Sequence, residues 1–415
     1  MSGIQSRRDQ RGEVTVAGQG TRRDAPGPVR RPRDRRQQIA AAAGRLFHES
    51  GFHGVGIAEI AACVGVGGSA VYRHFRGKQD LLAHLVFTGL SGIDEALDQA
   101  EAAAPVEQFD VLLAALSRLA AEHREFAALW QLESRHLAGA DHTRFRRHLR
   151  GIGSRVATIL QESGPELPDA DADLLAWAVM AVCASPSYHR IVLPGQRLRA
   201  LVGSMARTAV VTWQPSGQSR HTETAPVPLT ERASRREMLL AAAARLFRER
   251  GFQSVGMEDI GTAAGIAGPS VYRHFASKAD LLSAALTRAT EWLSMSLSRA
   301  LGAAASPAVA IETLMRSYVD FAFHHTDLLA VLIGETANLP EPQRDQVRRA
   351  RSDYVREWRS LLVAGRPTLS AGEAHVLVHG AHGIVNDLAL TPRFRARPRL
   401  SDELTGLALR VLLEA

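Results

Sequence analysis

Lysine is almost missing from this chain. Of 50 basic residues only Lys78 and Lys278 are lysine; the rest are arginine. A compact ammonium on a flexible stem differs physically from a planar guanidinium, so positions that keep lysine ask for a point charge. Cysteine is equally scarce. Cys63 and Cys183 cannot form a disulfide framework, which fits a reducing, cytoplasmic compartment. No run approaches 18 consecutive apolar residues, so no membrane-spanning helix is expected. The arginine-rich start has no apolar core of the kind a secretory signal needs. Period-2 alternation is missing too, which excludes half-buried strands and leaves an all-α reading. There is no glycine loop of the phosphate-cradling or dinucleotide type. Ser187, His189 and the nearby acids do not compose a nucleophilic triad. The expectation is a protein that is not an enzyme and needs no cofactor.

Charge is present but concentrated. The net charge is +7, and residues 1–36 hold ten arginines against four acids, +6 of that total. The remaining chain is nearly neutral, so a basic isoelectric point alone argues little about nucleic acid. Residues 1–34 read as a disordered basic arm.

What the chain has in abundance is itself. RRQQIAAAAGRLFHESGFHGVGIAEIAACVGVGGSAVYRHFRGKQDLL from Arg35 aligns without a gap with RREMLLAAAARLFRERGFQSVGMEDIGTAAGIAGPSVYRHFASKADLL from Arg235, about half the positions being identical. The two lysines occupy one position of the repeat. Fainter similarity continues at an offset of 202, where Glu133 matches Glu335 and Leu137 matches Leu339. The chain therefore divides into an arm (1–34), a first head (35–82) and body (83–213), a polar linker (214–231), and a second head (232–282) and body (283–415).

Within each head, Ile39, Ala43, Leu46 and Phe47 fall on one face of a helix that Gly51 ends. Two short helices follow, Ile57–Val64 and Gly68–Phe75, separated by Gly65-Val66-Gly67. A longer helix starts near Lys78. Three helices with a glycine turn between the second and third are the layout of a helix-turn-helix, whose third helix meets base edges in the major groove. Gly68, Ser69 and Ala70, with Gly268, Pro269 and Ser270, are small enough to bring backbone close to DNA. Tyr72, Arg73 and His74, with Tyr272, Arg273 and His274, can donate to phosphate. Lys78 and Lys278, each opening a helix beside exposed N–H groups, are candidate phosphate clamps. The competing reading is a three-helix structural core in which Tyr72 and Lys78 are ordinary surface residues. It must account for an exposed polar quartet repeated intact.

The sequence of ARLF, GF, EIA or EDIG, a glycine-flanked turn, VYRHF, then K, D and LL resembles the TetR family of bacterial transcriptional regulators over about 48 residues per unit. The resemblance implies an N-terminal helix-turn-helix and a helical C-terminal domain that binds a small effector and dimerises through its last two long helices. It implies DNA contacts at Tyr72, His74 and Lys78 and their twins Tyr272, His274 and Lys278. Two departures stand out. Gly56 and Gly256 replace the usual Ser or Thr at the start of the second helix. The chain also carries two units where a usual member has one.

On this reading the partners are double-stranded operator DNA and a small-molecule effector, with no membrane. The units pair either as an internal pseudo-dimer or through a second chain. The function is a DNA-binding regulator, a repressor released by ligand that reads an imperfect palindrome; the alternative is a sensor on the same scaffold that has lost DNA binding. Alignment of the halves places an effector pocket at Trp130, Glu133, Trp177 and Met180 in unit one. In unit two it places one at Ile333, Glu335, His379 and His382. His375, His379 and His382 share a helix face and could ligate a metal, but their unit-one counterparts Asp173, Trp177 and Met180 form no such set, so no metal is expected.

Overall fold

The computed structural model describes residues 32–124, 127, 129–164, 166–189, 191–214 and 234–415. The arm and the linker expected from sequence fall almost entirely outside these residues. Every regular element among the described residues is helical.

Unit one opens with a head of α1 (Pro32–Ser50), α2 (Ile57–Cys63) and α3 (Gly68–Tyr72). Helix α1 begins at Pro32, three residues earlier than the pattern predicts. Ile39, Ala43 and Phe47 are buried and pack with Ile60, Val71 and Phe75. Gly51 (φ 74°) closes α1 and Gly65 (φ 67°) makes the turn between α2 and α3, both in the left-handed region where a Cβ is disfavoured. The body follows as α4 (Lys78–Glu101), α5 (Pro105–Glu122), α6 (Gly139–Ser163), α7 (Asp169–Ala184) and α8 (Gly195–Val211). A π-helical turn, Leu129–Glu133, and a 3-10 turn, Ser134–His136, precede α6. The expected boundary at residue 82 lies inside α4, so head and body share one helix.

Unit two repeats this order. Its head is α9 (Arg235–Arg250), α10 (Met257–Ala263) and α11 (Gly268–Val271). Its body is α12 (Lys278–Ala303), α13 (Pro307–His324), α14 (Thr326–Gly334), α15 (Glu341–Gly365), α16 (Ala371–Leu390), α17 (Pro392–Arg395) and α18 (Leu400–Glu414).

The units pack on each other through α7 and α8 of the first and α16 and α18 of the second. Small residues make the approach possible. A Cβ on Gly380 would lie 2.6 Å from Met205 Sδ, and one on Gly383 would lie 3.3 Å from the Ala181 carbonyl oxygen. Charge fixes the register. Arg397 donates to Asp171, to the Ala170 carbonyl at 2.9 Å and to Glu403 at 2.5 Å. Arg197 pairs with Glu373, the residue that matches Asp171 at the offset of 202. Arg393 pairs with Asp173 at 3.0 Å and lies 5.0 Å from the Trp177 ring centre.

Candidate functional site

The third helix of each head is short and amphipathic. Val71 and Phe75 point into the head, as do Val271 and Phe275. Tyr72 is 59% exposed and Tyr272 is 57% exposed, unusual for large aromatic side chains without a partner. Arg73 and Arg273 are exposed beside them. Ser69 and Pro269 are exposed, Ala70 and Ser270 half-buried; His74 is half-buried and His274 exposed. Helix α2 has no side-chain cap at Gly56. Instead the Glu59 carboxylate accepts the Gly56 N–H at 2.6 Å, and Asp259 does the same for Gly256 at 2.7 Å.

The lysines have an internal use that spacing did not reveal. Lys78 Nζ donates to the Val55 carbonyl at 2.9 Å and sits 4.4 Å from the Phe52 ring centre. Lys278 Nζ donates to the Phe252 carbonyl at 2.7 Å and sits 4.3 Å from the ring of that residue. Burial lowers both lysine pKa values. A compact ammonium on a long stem can reach a carbonyl over a ring face; a planar guanidinium is larger than that slot. This accounts for lysine at these positions, and leaves further N–H donors of each ammonium available.

Where heads meet bodies, buried carboxylates replace a simple hinge. The Phe52 N–H donates to Glu133 at 3.1 Å, and Glu335 accepts from the Phe252 backbone. Burial raises the pKa of both. Arg135 pairs with Glu335 and also reaches the Gly334 carbonyl at 3.4 Å, so a unit-one cation serves the unit-two junction. Beside it His136 stacks on Phe52, 5.4 Å between ring centres. Burial pushes its pKa down to about 3. Glu133 and Glu335, expected in effector pockets, are thus placed at the junctions.

The bodies enclose unequal cavities. In unit one, Trp130 and Met180 line a space of about 60 Å³ with Ile93, Leu116 and Cys183. Unit two has a cavity of about 390 Å³ that includes Ile333, His379 and His382. Trp177, expected in the unit-one pocket, reaches across and lines the unit-two cavity instead. The three histidines of α16 do not converge. His375 and His379 lie 4.6 Å apart, near His189 of unit one, whereas His382 stacks on Tyr318 at 4.2 Å. Among the described residues no set of three or more His, Cys, Asp or Glu side chains could hold a metal ion.

Two helix-turn-helix heads on a paired, all-helical body define a tandem helix-turn-helix protein. The sequence profile of bacterial regulatory proteins of the tetR family matches residues 39–85 and again 239–285. A tetracyclin repressor-like C-terminal domain profile matches residues 304–389. The chain is 30% identical over 142 residues to the HTH-type transcriptional repressor KstR2 of Mycolicibacterium smegmatis, covering 34% of this chain and 69% of that protein. It is 32% identical over 130 residues to the HTH-type transcriptional activator FasR of the same organism, covering 31% of this chain and 57% of that protein. The solved structure of the ketosteroid transcriptional regulator KstR2 of Mycobacterium tuberculosis aligns at 24% identity and a TM-score of 0.39, over 43% of this chain and 93% of that one. The chain belongs to the tetR family of bacterial regulatory proteins, and it carries the family's N-terminal segment twice.

Proposed function

We propose that this chain is a DNA-binding transcriptional regulator that engages its operator as an internal pair of heads and releases it on binding a small molecule. Residues 35–82 and 232–282 are assigned as heads, and 83–213 and 283–415 as bodies. The carrying observation is that both heads bury Val71 and Phe75, or Val271 and Phe275, while leaving Tyr72-Arg73 and Tyr272-Arg273 exposed. A tyrosine hydroxyl and a guanidinium exposed at the end of the third helix suit phosphate contact, and the small residues at that helix's start suit close approach to base edges. Lys78 and Lys278 join this set through their remaining donors. Similarity to a transcriptional repressor and a transcriptional activator supports the class. Action as a repressor is part of the proposal.

Titration of the full chain against DNA flanking its own gene, by mobility shift and fluorescence anisotropy, tests this. One chain per operator and protection of two adjacent half-sites are expected. Absence of sequence-dependent binding would leave the sensor without DNA binding as the better reading.

A further inference from the structure

The walls of the two body cavities have diverged in one chemical direction. Unit two presents Tyr318, Arg351, Tyr354, His379, His382 and Asn386. At the offset of 202 that relates the bodies, unit one holds Leu116, Leu149, Ile152, Trp177, Met180 and Ala184. Six polar side chains around one cavity, all apolar in the sister copy, are not needed to fold the scaffold, because unit one folds the same way without them. Buried polar groups cost free energy unless they are satisfied.

Several are not satisfied from within. Arg351 Nη1 donates to the Leu332 carbonyl at 3.2 Å. A guanidinium carries five N–H donors, so most of its capacity remains. Burial lowers its pKa, and the charged or ionisable neighbours acting on it are Tyr318 and Arg348, neither of them a carboxylate. Asp387, on the same lining, acts on Tyr188. His382 is 7% exposed, its Nε2 has no hydrogen-bond partner, and burial holds the ring neutral with a pKa of about 3. Leu293, Leu329 and the Trp177 ring supply apolar wall. A volume of about 390 Å³ lies in the range of small-ligand sites, which pair apolar walls with a few aimed polar groups.

We propose that this cavity binds one small organic monoanion per chain, a carboxylate on an apolar body of aromatic-ring size. The carboxylate meets the fork of Arg351, which matches its two oxygens, and the free His382 nitrogen; the body lies against Leu293, Leu329 and Trp177. One unpaired guanidinium matches one negative charge. The site is complete only when both units are paired, because Trp177 comes from unit one. Unit one, with about 60 Å³ of apolar space, holds no second site. This deepens the reading of the chain as a ligand-released regulator and rests on it for its biological sense.

Calorimetric titration of the full chain without DNA tests the proposal with a matched pair of probes, 2-naphthoate and its neutral isostere 2-naphthamide. Naphthoate is expected to bind once per chain, and naphthamide roughly tenfold or more weaker, the usual loss when a charged hydrogen-bond partner is missing. Arg351→Met should abolish the preference, and Arg351→Lys, which keeps the charge but not the fork, should retain part of it. Removing a half-buried charge that no carboxylate offsets should leave the melting temperature of the unliganded protein equal or higher. Two sites per chain, equal affinity for the two probes, no saturable binding of naphthoate, or a lower melting temperature in Arg351→Met overturns the proposal. Because no DNA is present, these failures are separate from failure of the DNA-binding reading, which the mobility shift decides.

Discussion

Replacing Arg397 with alanine strips the cation from two buried carboxylates that belong to different units. The Asp171 and Glu403 side chains are 8% and 6% exposed, and Arg397 itself is 17% exposed. Breaking a buried pair from one side costs about 3–5 kcal/mol, because the stranded charge has lost both water and partner. The Trp213 indole N–H, 3.1 Å from Asp171, still satisfies one carboxylate oxygen, but Glu403 loses both of its guanidinium bonds. The expected cost therefore falls in the middle of that range, about 4 kcal/mol. Denaturant unfolding of the full chain, followed by tryptophan fluorescence and circular dichroism, reads it as a lower midpoint. Replacing the whole set, Arg397→Met with Asp171→Leu and Glu403→Leu, should recover most of the loss, since a packed apolar substitute is often neutral or better. As the partners share one chain, the midpoint should not move with protein concentration. A cost below about 1 kcal/mol, typical of an exposed pair, would show that the two carboxylates do not depend on Arg397. So would a triple variant no more stable than the single one.

Acid should destabilise the fold from about pH 6.5 downward. Burial holds His136, His189 and His382 at about 3, so each is neutral in the folded state and takes up a proton only on unfolding. Each then costs about 1.4 kcal/mol per pH unit below its unfolded pKa. Glu133 and Glu335, raised by burial, act in the opposite sense and stabilise as pH falls through their folded values. Three histidines with large shifts outweigh two carboxylates. Denaturant midpoints at pH 7.5, 6.5 and 5.5 that stay flat or rise would contradict this. Arg73→Ala should weaken binding about equally across DNA sequences and flatten the salt slope by about one unit. Lys78→Met should weaken binding with a smaller change of slope, because its ammonium is already bonded to Val55; anisotropy across a salt series separates the two. Exchanging residues 67–70 with 267–270 should invert the preferred orientation on an asymmetric operator. Ser270 can hydrogen-bond a base edge, whereas Ala70 offers only an apolar contact. Footprints of both proteins on both orientations decide it, and identical footprints would mean the heads read alike.

The heads were legible in the sequence because what specifies them is local. Ile39, Ala43 and Phe47 mark a helix face by their spacing alone, and Gly51 and Gly65 adopt the left-handed conformation that ends one helix and turns into the next. Repetition added what spacing cannot give, by separating positions kept in both copies from those that drifted. It singled out Lys78 and Lys278 but not their acceptors, since the Val55 carbonyl is 23 residues away and a carbonyl carries no sequence signature. Alignment of the halves likewise found Trp177 without showing which cavity it enters. That depends on how α7 and α8 cross α16, and so on the close approach allowed at Gly383 and Gly380. The pairing of Arg397 with Asp171 across 226 residues, the use of Arg135 at the other unit's junction, and the unequal cavities share this character. Periodicity and turn chemistry act over a few residues, so the helices, the heads and the duplication could be read from the order of residues alone. Which buried charges meet, and which copy keeps an open cavity, depends on contacts between distant segments and is settled only once those segments have packed.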